Sequence, residues 1–271
     1  MSTINIFRAQ ALCRSHFKEK LKDKFQPDDQ KVGLPTVQNA RHLHDDQHLI
    51  STNNLPLNTQ SAYTSWAPTY DSDRNLTRDL DQLVTARMLG ARRYAHMIEA
   101  GCGTGKNTPF FSGCCDSVLA LDFSSGMLAI AQQRVQAGNV RFAQANLLEP
   151  WPSTNESVEL VSCNLVLEHI ENMQPVFNEA ARVLANEGMF FVSELHPHKQ
   201  YLGSQARFMN GQQVETRIEA FTHHVSDFLR AADAAGFKLE TLEESWHAED
   251  IASPPRLISL VFRKRPGNGK D

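Results

Sequence analysis

Between Ala95 and Asp122 the chain reads Ala95-His96-Met97-Ile98-Glu99-Ala100-Gly101-Cys102-Gly103-Thr104-Gly105 and then, after a short interval, Val118-Leu119-Ala120-Leu121-Asp122. An apolar run that passes directly into alternating glycines is a buried strand ending in a tight turn, where the missing side chains let a ligand lie against the backbone. Three kinds of glycine loop compete for it, and spacing separates them. A dinucleotide-binding G-x-G-x-x-G loop requires glycine where Lys106 stands. A phosphate-cradling loop requires glycine at Ala100 and a hydroxyl at Asn107. What remains is acidic-x-Gly-x-Gly-x-Gly, followed by a second apolar run whose closing Asp122 lies about 20 residues beyond the first glycine.

Glu99-Ala100-Gly101-Cys102-Gly103-Thr104-Gly105 and Asp122 together resemble the first two motifs of the class I S-adenosylmethionine-dependent methyltransferases, of the kind acting on small molecules. S-adenosylmethionine has no pyrophosphate, so its loop must let backbone approach a ribose and an amino-acid end. An acidic side chain at a strand's carboxyl end can accept both ribose hydroxyls. The resemblance implies cofactor contacts at Glu99, Gly101, Cys102, Gly103, Gly105 and Asp122, with Phe123 and Met127 flanking the adenine. It places Asn146 and Leu147 at the adenine edge, Asn146 standing where the family commonly has Asp, and it brings Asn164 and Tyr70 to the cofactor as well. The competing reading is a glycine turn without a ligand, in which Asp122 only caps the next helix.

A chain of 271 residues has room for one large α/β domain with an extension, and needs no disulfide staples. We divide it into an N-terminal extension over 1–60, partly helical or flexible, a methyltransferase domain over 61–265, and a flexible tail over 266–271. The net charge of −4 argues against a nucleic-acid partner, which needs a basic face. No apolar run reaches the ~18 residues of a membrane span. Cys13, Cys102, Cys114, Cys115 and Cys163 form no C-x-x-C pair, so reduced thiols in a cytoplasmic protein are expected.

Residues 1–25 are basic, with Phe7, Leu12, Phe17 and Leu21 as a modest helical stripe or part of a targeting peptide, and a polar linker follows. His44 and His48 within it are spaced as on one helical face, but catalytic zinc usually needs three ligands, so no metal site is expected. The segment Trp66-Ala67-Pro68-Thr69-Tyr70-Asp71 is similar to the stretch that closes over the cofactor's methionine end in the family. A helix follows, with Leu76, Leu80, Leu83, Val84 and Leu89 as its apolar face.

Strands are predicted at 96–100, 117–122, 140–143, 158–163, 189–195, 237–242 and 257–262. Between them lie a short helix capped by Thr108, a helix over 126–137 capped by Ser124 and stopped by Gly138, a helix from Asn172 to Leu184, and one over 228–235 capped by Ser226. This alternation implies a doubly wound, Rossmann-like sheet covered on both faces. The resemblance adds seven strands in the order 3-2-1-4-5-7-6 with the last antiparallel. After the fifth strand come His196-Pro197-His198-Lys199-Gln200-Tyr201 and then a polar stretch to Phe221, long enough to be functional or mobile.

The activity this implies is transfer of a methyl group from S-adenosylmethionine to an oxygen, nitrogen or carbon of a small-molecule acceptor. A base matters only when the acceptor holds its proton at neutral pH, and His169, His196 and His224 are candidates because histidine titrates near neutrality. Tyr63, Trp66, Glu168 and Tyr201 are candidates for acceptor contact. A silent cofactor-binding protein acting through a partner is the alternative; a nicotinamide oxidoreductase is disfavoured by Lys106.

Overall fold

The computed structural model describes residues 59–209 and 214–266. The basic segment, the His44/His48 pair, Cys13 and most of the tail lie outside the described residues. Among the described residues no helix is long and apolar enough to cross a membrane.

Seven strands form one sheet: β1 (Tyr94–Ala100), β2 (Cys115–Asp122), β3 (Val140–Gln144), β4 (Val158–Asn164), β5 (Leu184–Leu195), β8 (Phe237–Ser245) and β9 (Leu257–Lys264). Their order is β3-β2-β1-β4-β5-β9-β8, with β1 to β5 parallel and β9 antiparallel to both its neighbours. This is the Rossmann-like order expected from the resemblance. β6 (Arg207–Met209) and β7 (Glu215–Arg217) form a separate small hairpin.

Successive residues of the central strands feed opposite faces, as the two-residue side-chain period requires. Ile98, Val161 and Phe190 join one core with Phe177 of α5 (Gln174–Val183) and Phe228 of α7 (Val225–Ala234). Their neighbours Met97, Leu160 and Phe191 join the other, with Phe111 of α3 (Thr108–Cys114) and Leu128 of α4 (Ser125–Arg134). The parallel strands all end at one edge, where loops converge on the site.

Two helices precede the sheet: α1 (Thr59–Trp66), followed by a 3-10 turn at Ala67–Thr69, and α2 (Leu76–Leu89). Asn75 caps α2 by accepting the N–H groups of Thr77 and Arg78. α1 lies across the start of α4, where a Cβ on Gly126 would stand 2.9 Å from the Thr64 carbonyl oxygen. Thr64 Oγ1 lies 2.9 Å from Ser124 Oγ.

The structure corrects several local expectations. Leu83 is 66% exposed, while Arg78, Asp81 and Thr85 are buried, because α2 turns a polar stripe inward as well as the apolar residues Leu80 and Val84. Asn107 precedes α3, and the Thr108 hydroxyl instead donates to Glu99. α4 ends at Arg134, since Val135 is extended and buries its side chain. α5 starts at Gln174, whose N–H is taken by Asn172. His224 rather than Ser226 caps α7; its N–H donates to Asp227 at 2.8 Å. The stretch after β5 is also structured, holding α6 (Pro197–Tyr201) and the β6–β7 hairpin, whose Phe208 and neighbouring Ile218 bury Ala62 and Trp66 of α1.

Candidate active site

The turn after β1 takes left-handed backbone at Gly101, Gly103 and Gly105, with φ of 79°, 54° and 74°. Each glycine has its own environment. A Cβ on Gly101 would meet Val166 Cγ2 at 2.2 Å, and one on Gly105 would meet Ala131 Cβ at 3.2 Å, so these two let elements pack closely. Around Gly103 none of the described residues comes within 4 Å of that position. The middle glycine therefore opens onto free space.

Asp122 stands across that space at the end of β2. One carboxylate oxygen accepts the Gly103 N–H at 2.8 Å and the other the Ser124 N–H at 2.8 Å. Burial pushes its pKa up to about 6, although the N–H groups of Ser124, Gly103 and Phe123 act against the rise. Glu99 accepts the Thr108 hydroxyl at 2.6 Å; burial pushes it up to about 8, and the Asp81 and Asp122 charges add to that.

The loop, the β2 end and the β4 end enclose a cavity of about 190 Å³. Of the residues assigned to the cofactor by resemblance, Glu99, Gly101, Cys102, Gly103 and Asp122 line it, as do Phe123, Met127, Asn146, Leu147, Asn164 and Tyr70. Gly105 does not; it is packed against Ala131. The Asn146 side-chain oxygen accepts the Leu148 N–H at 3.1 Å, a turn bond that occupies the acceptor which the family's Asp would offer.

A polar floor went unread in the sequence. Asp81 of α2 accepts from Asn107 and from Asn164, each at 2.9 Å, and Asn164 also donates to Thr85 at 2.9 Å. Burial raises the Asp81 pKa, against the bonds from Ser193, Asn164 and Asn107. The Asn107 side-chain oxygen is buried with no partner among the described residues. The available signal was the i, i+4 spacing of Asp81 and Thr85 on a helix otherwise read for its leucines.

Beyond β4, Leu165 adopts φ of 56°, a strained backbone for a branched residue. Glu194 of β5 holds this turn: one oxygen accepts the N–H groups of Val166 at 2.9 Å and Leu167 at 2.7 Å, and the other has no partner among the described residues. Burial, then the Glu168 charge, pushes the Glu194 pKa up to about 8.

Tyr63, Trp66 and Tyr70 form an aromatic wall against which Phe208 stacks, its ring 5.2 Å from that of Trp66. Arg78 lies over the Tyr70 ring at 4.0 Å, a cation–π contact, and donates to the carbonyls of Tyr70 and Asp73. The Tyr63 hydroxyl lies 2.7 Å from His169 Nε2, and His169 Nδ1 lies 2.8 Å from the Glu219 carbonyl oxygen. Behind the wall is a groove of about 660 Å³ that shares Tyr63, Tyr70, Arg78 and Leu165 with the first cavity and adds Trp66 and Glu168. Residues 202–207 reach this groove, so the aromatic segment, the β4 end and the stretch after β5 do converge.

Three candidates stand elsewhere. His196 caps α6, where Nδ1 accepts the His198 N–H at 3.1 Å while Nε2 faces Glu244 at 3.0 Å. His224 caps α7 and contacts the hydroxyl of Tyr201, which is 63% exposed. None of the three lines either concavity. The His196 ring is taken by capping α6, whereas His224 caps α7 through its backbone and its ring meets the Tyr201 hydroxyl. Only His169 of the candidate bases reaches the cavity.

Residues 98–192 match the family described as a methyltransferase domain. The chain is 27% identical over 243 residues to an uncharacterized methyltransferase of Emericella nidulans, covering 75% of this chain and 84% of that one. It is 32% identical over 137 residues to a malonyl-[acyl-carrier protein] O-methyltransferase of Enterobacter lignolyticus, covering 50% of this chain and 52% of that one. Among solved structures, a DhpI–SAM–HEP complex superposes with a TM-score of 0.60 at 21% identity, over 76% of this chain and 95% of that one. An S-adenosylmethionine-dependent methyltransferase of Mesorhizobium loti gives 0.59 at 19%, over 70% and 100%. The sheet order, the glycine loop facing Asp122 and these matches lead to one assignment: the chain is a class I S-adenosylmethionine-dependent methyltransferase.

Proposed function

We propose that the first cavity holds S-adenosylmethionine and that the adjoining groove holds a small acceptor methylated on oxygen. The observation that carries this reading is the shared wall: Tyr63, Tyr70, Arg78 and Leu165 belong to both concavities, so a donor in one and an acceptor in the other would meet there. The residues present fit the cofactor. Gly103 leaves room for backbone contact, Asp122 presents a carboxylate to a ribose, and Phe123, Met127 and Leu147 offer apolar surface to a base. Asn164, Asp81 and the orphaned Asn107 oxygen supply polar contacts for an amino-acid end. Bound there, the cofactor supplies a methyl group already activated by its sulfonium, so the protein's contribution is alignment and exclusion of water.

Oxygen as the acceptor atom rests on the named activity of the malonyl relative, which aligns over about half its length. The groove's own chemistry suits a polar acceptor: Glu168, Arg207 and Arg256 line it, and the indole N–H of buried Trp66 has no partner among the described residues. The test is transfer of tritiated methyl across a panel of small alcohols, phenols, carboxylic acids and amines, with the product's methylated atom read by NMR. Labelled oxygen products support the reading. Tight cofactor binding with no transfer to any acceptor would favour the silent, partner-acting alternative.

A further inference from the structure

We propose that the acceptor class is an oxygen still carrying its proton at neutral pH, a hydroxyl rather than a carboxylate, and that Tyr63 and His169 together take that proton. This rests on the preceding reading that the groove holds an oxygen acceptor, and takes from the malonyl relative only the acceptor element: a malonyl group held at one end offers a carboxylate, whereas the pair of side chains here suits a hydroxyl. A backbone carbonyl can only accept, so the Glu219 oxygen 2.8 Å from His169 Nδ1 requires the hydrogen on Nδ1. In the neutral ring Nε2 then carries the lone pair, and at 2.7 Å the Tyr63 hydroxyl donates to it. The imidazole is thus held as a base, with its acceptor atom aimed at a hydroxyl on the wall between the two concavities. A carboxylate acceptor has no proton to lose and would leave this arrangement idle.

The Glu168 carboxylate lies 3.7 Å from His169 Nε2, beside the atom that would receive the proton. Burial raises the Tyr63 pKa, and the nearby Tyr70, Glu168 and Asp122 raise it further while Arg78 lowers it. Tyr63 therefore keeps its proton at rest and acts as a relay rather than as a standing phenolate. In the step, the acceptor's O–H bond breaks and its proton passes to the Tyr63 oxygen, as the Tyr63 proton passes to Nε2. The electron pair left on the acceptor oxygen forms the bond to the transferred methyl carbon, and the electrons of the broken carbon–sulfur bond stay on sulfur.

The test compares the parent with Tyr63→Phe and His169→Asn in tritiated-methyl transfer to a series of substituted phenols of graded acidity, with aliphatic alcohols and carboxylic acids alongside. Each variant should lower kcat by ~100-fold or more on weakly acidic phenols. The loss should shrink towards nothing on phenols acidic enough to be ionised at the assay pH, a dependence that a purely structural role does not produce. The double variant should be no worse than either single one. Independently of activity, the ring-nitrogen NMR signals of His169 should report the Nδ1–H tautomer in the parent and shift at Nε2 in Tyr63→Phe. Equal losses across the acidity series or retained rates in both variants would overturn the relay, and transfer confined to carboxylic acids would overturn the hydroxyl acceptor and the relay together, each leaving the oxygen reading in place. Cofactor binding with no transfer to anything would overturn the acceptor reading and the relay with it.

Discussion

Replacing Gly101 by alanine separates packing from ligand access in the glycine loop. At φ of 79° an L side chain costs about 1–2 kcal/mol. The new Cβ would also stand 2.2 Å from Val166 Cγ2 and 3.3 Å from both Cβ and Cγ1. Turning the valine hydrogen towards this spot would still leave Val166 Cβ at 3.3 Å, so the loop must shift, at a cost of about 1–3 kcal/mol. Together Gly101→Ala should destabilise the fold by about 2–5 kcal/mol. Gly103→Ala carries the left-handed penalty but meets no atom within 4 Å, so it should cost only about 1–2 kcal/mol. Urea unfolding of both variants, each with and without Val166→Ala, measures the difference. A coupling of about 1–3 kcal/mol is expected between positions 101 and 166 and none between 103 and 166. A Gly103 variant as destabilised as the Gly101 variant, or no coupling at 166, would refute the assignment of Gly101 to packing and Gly103 to open space.

Asp122→Ala should weaken S-adenosylmethionine binding by about 1.5–3 kcal/mol by calorimetry and, because Gly103 and Ser124 lose their shared acceptor, should also cost about 1–3 kcal/mol of stability; unchanged affinity would remove the ribose assignment. Cofactor affinity in the parent should fall as pH drops through about 6, where Asp122 takes up its proton, and a flat profile down to pH 5 would contradict that. Glu194→Gln tests the buried carboxyl that holds the β4 turn. Its folded pKa is raised from 4.5 to about 8, so the parent's stability contribution is present at low pH and lost as pH rises between those values. The glutamine variant, whose oxygen can still accept the Val166 and Leu167 N–H groups, should gain on the parent across that window; parallel stability–pH curves would count against it.

The sheet was legible because its signals are local. An apolar strand closing in glycines, a second closing in Asp122 and the turn chemistry at Ser124 each act within a few residues. The polar floor was not legible, because Asp81 and Thr85 look like the solvent side of an amphipathic helix until Asn107 and Asn164 arrive from other loops. The β6–β7 hairpin has strands of three residues, too short for an alternating pattern to register, and it is held by Phe208 stacking on Trp66 across the fold. His196 and His224 show the limit of choosing bases by residue type. Both sit at helix starts, where a capping bond takes the His196 ring and the His224 ring is turned to exposed Tyr201, whereas His169 is distinguished by a carbonyl 50 residues away.

The central claim is that the cavity at the ends of β1, β2 and β4 is the S-adenosylmethionine site, and a crystal structure of the complex tests it most directly. The account predicts the ribose hydroxyls within hydrogen-bonding distance of Asp122, the backbone of Gly103 against the ligand, and the sulfonium methyl facing the wall of Tyr63 and Tyr70. A cofactor bound elsewhere on the molecule, or in this cavity with its methyl turned from that wall towards Asn146, would contradict it.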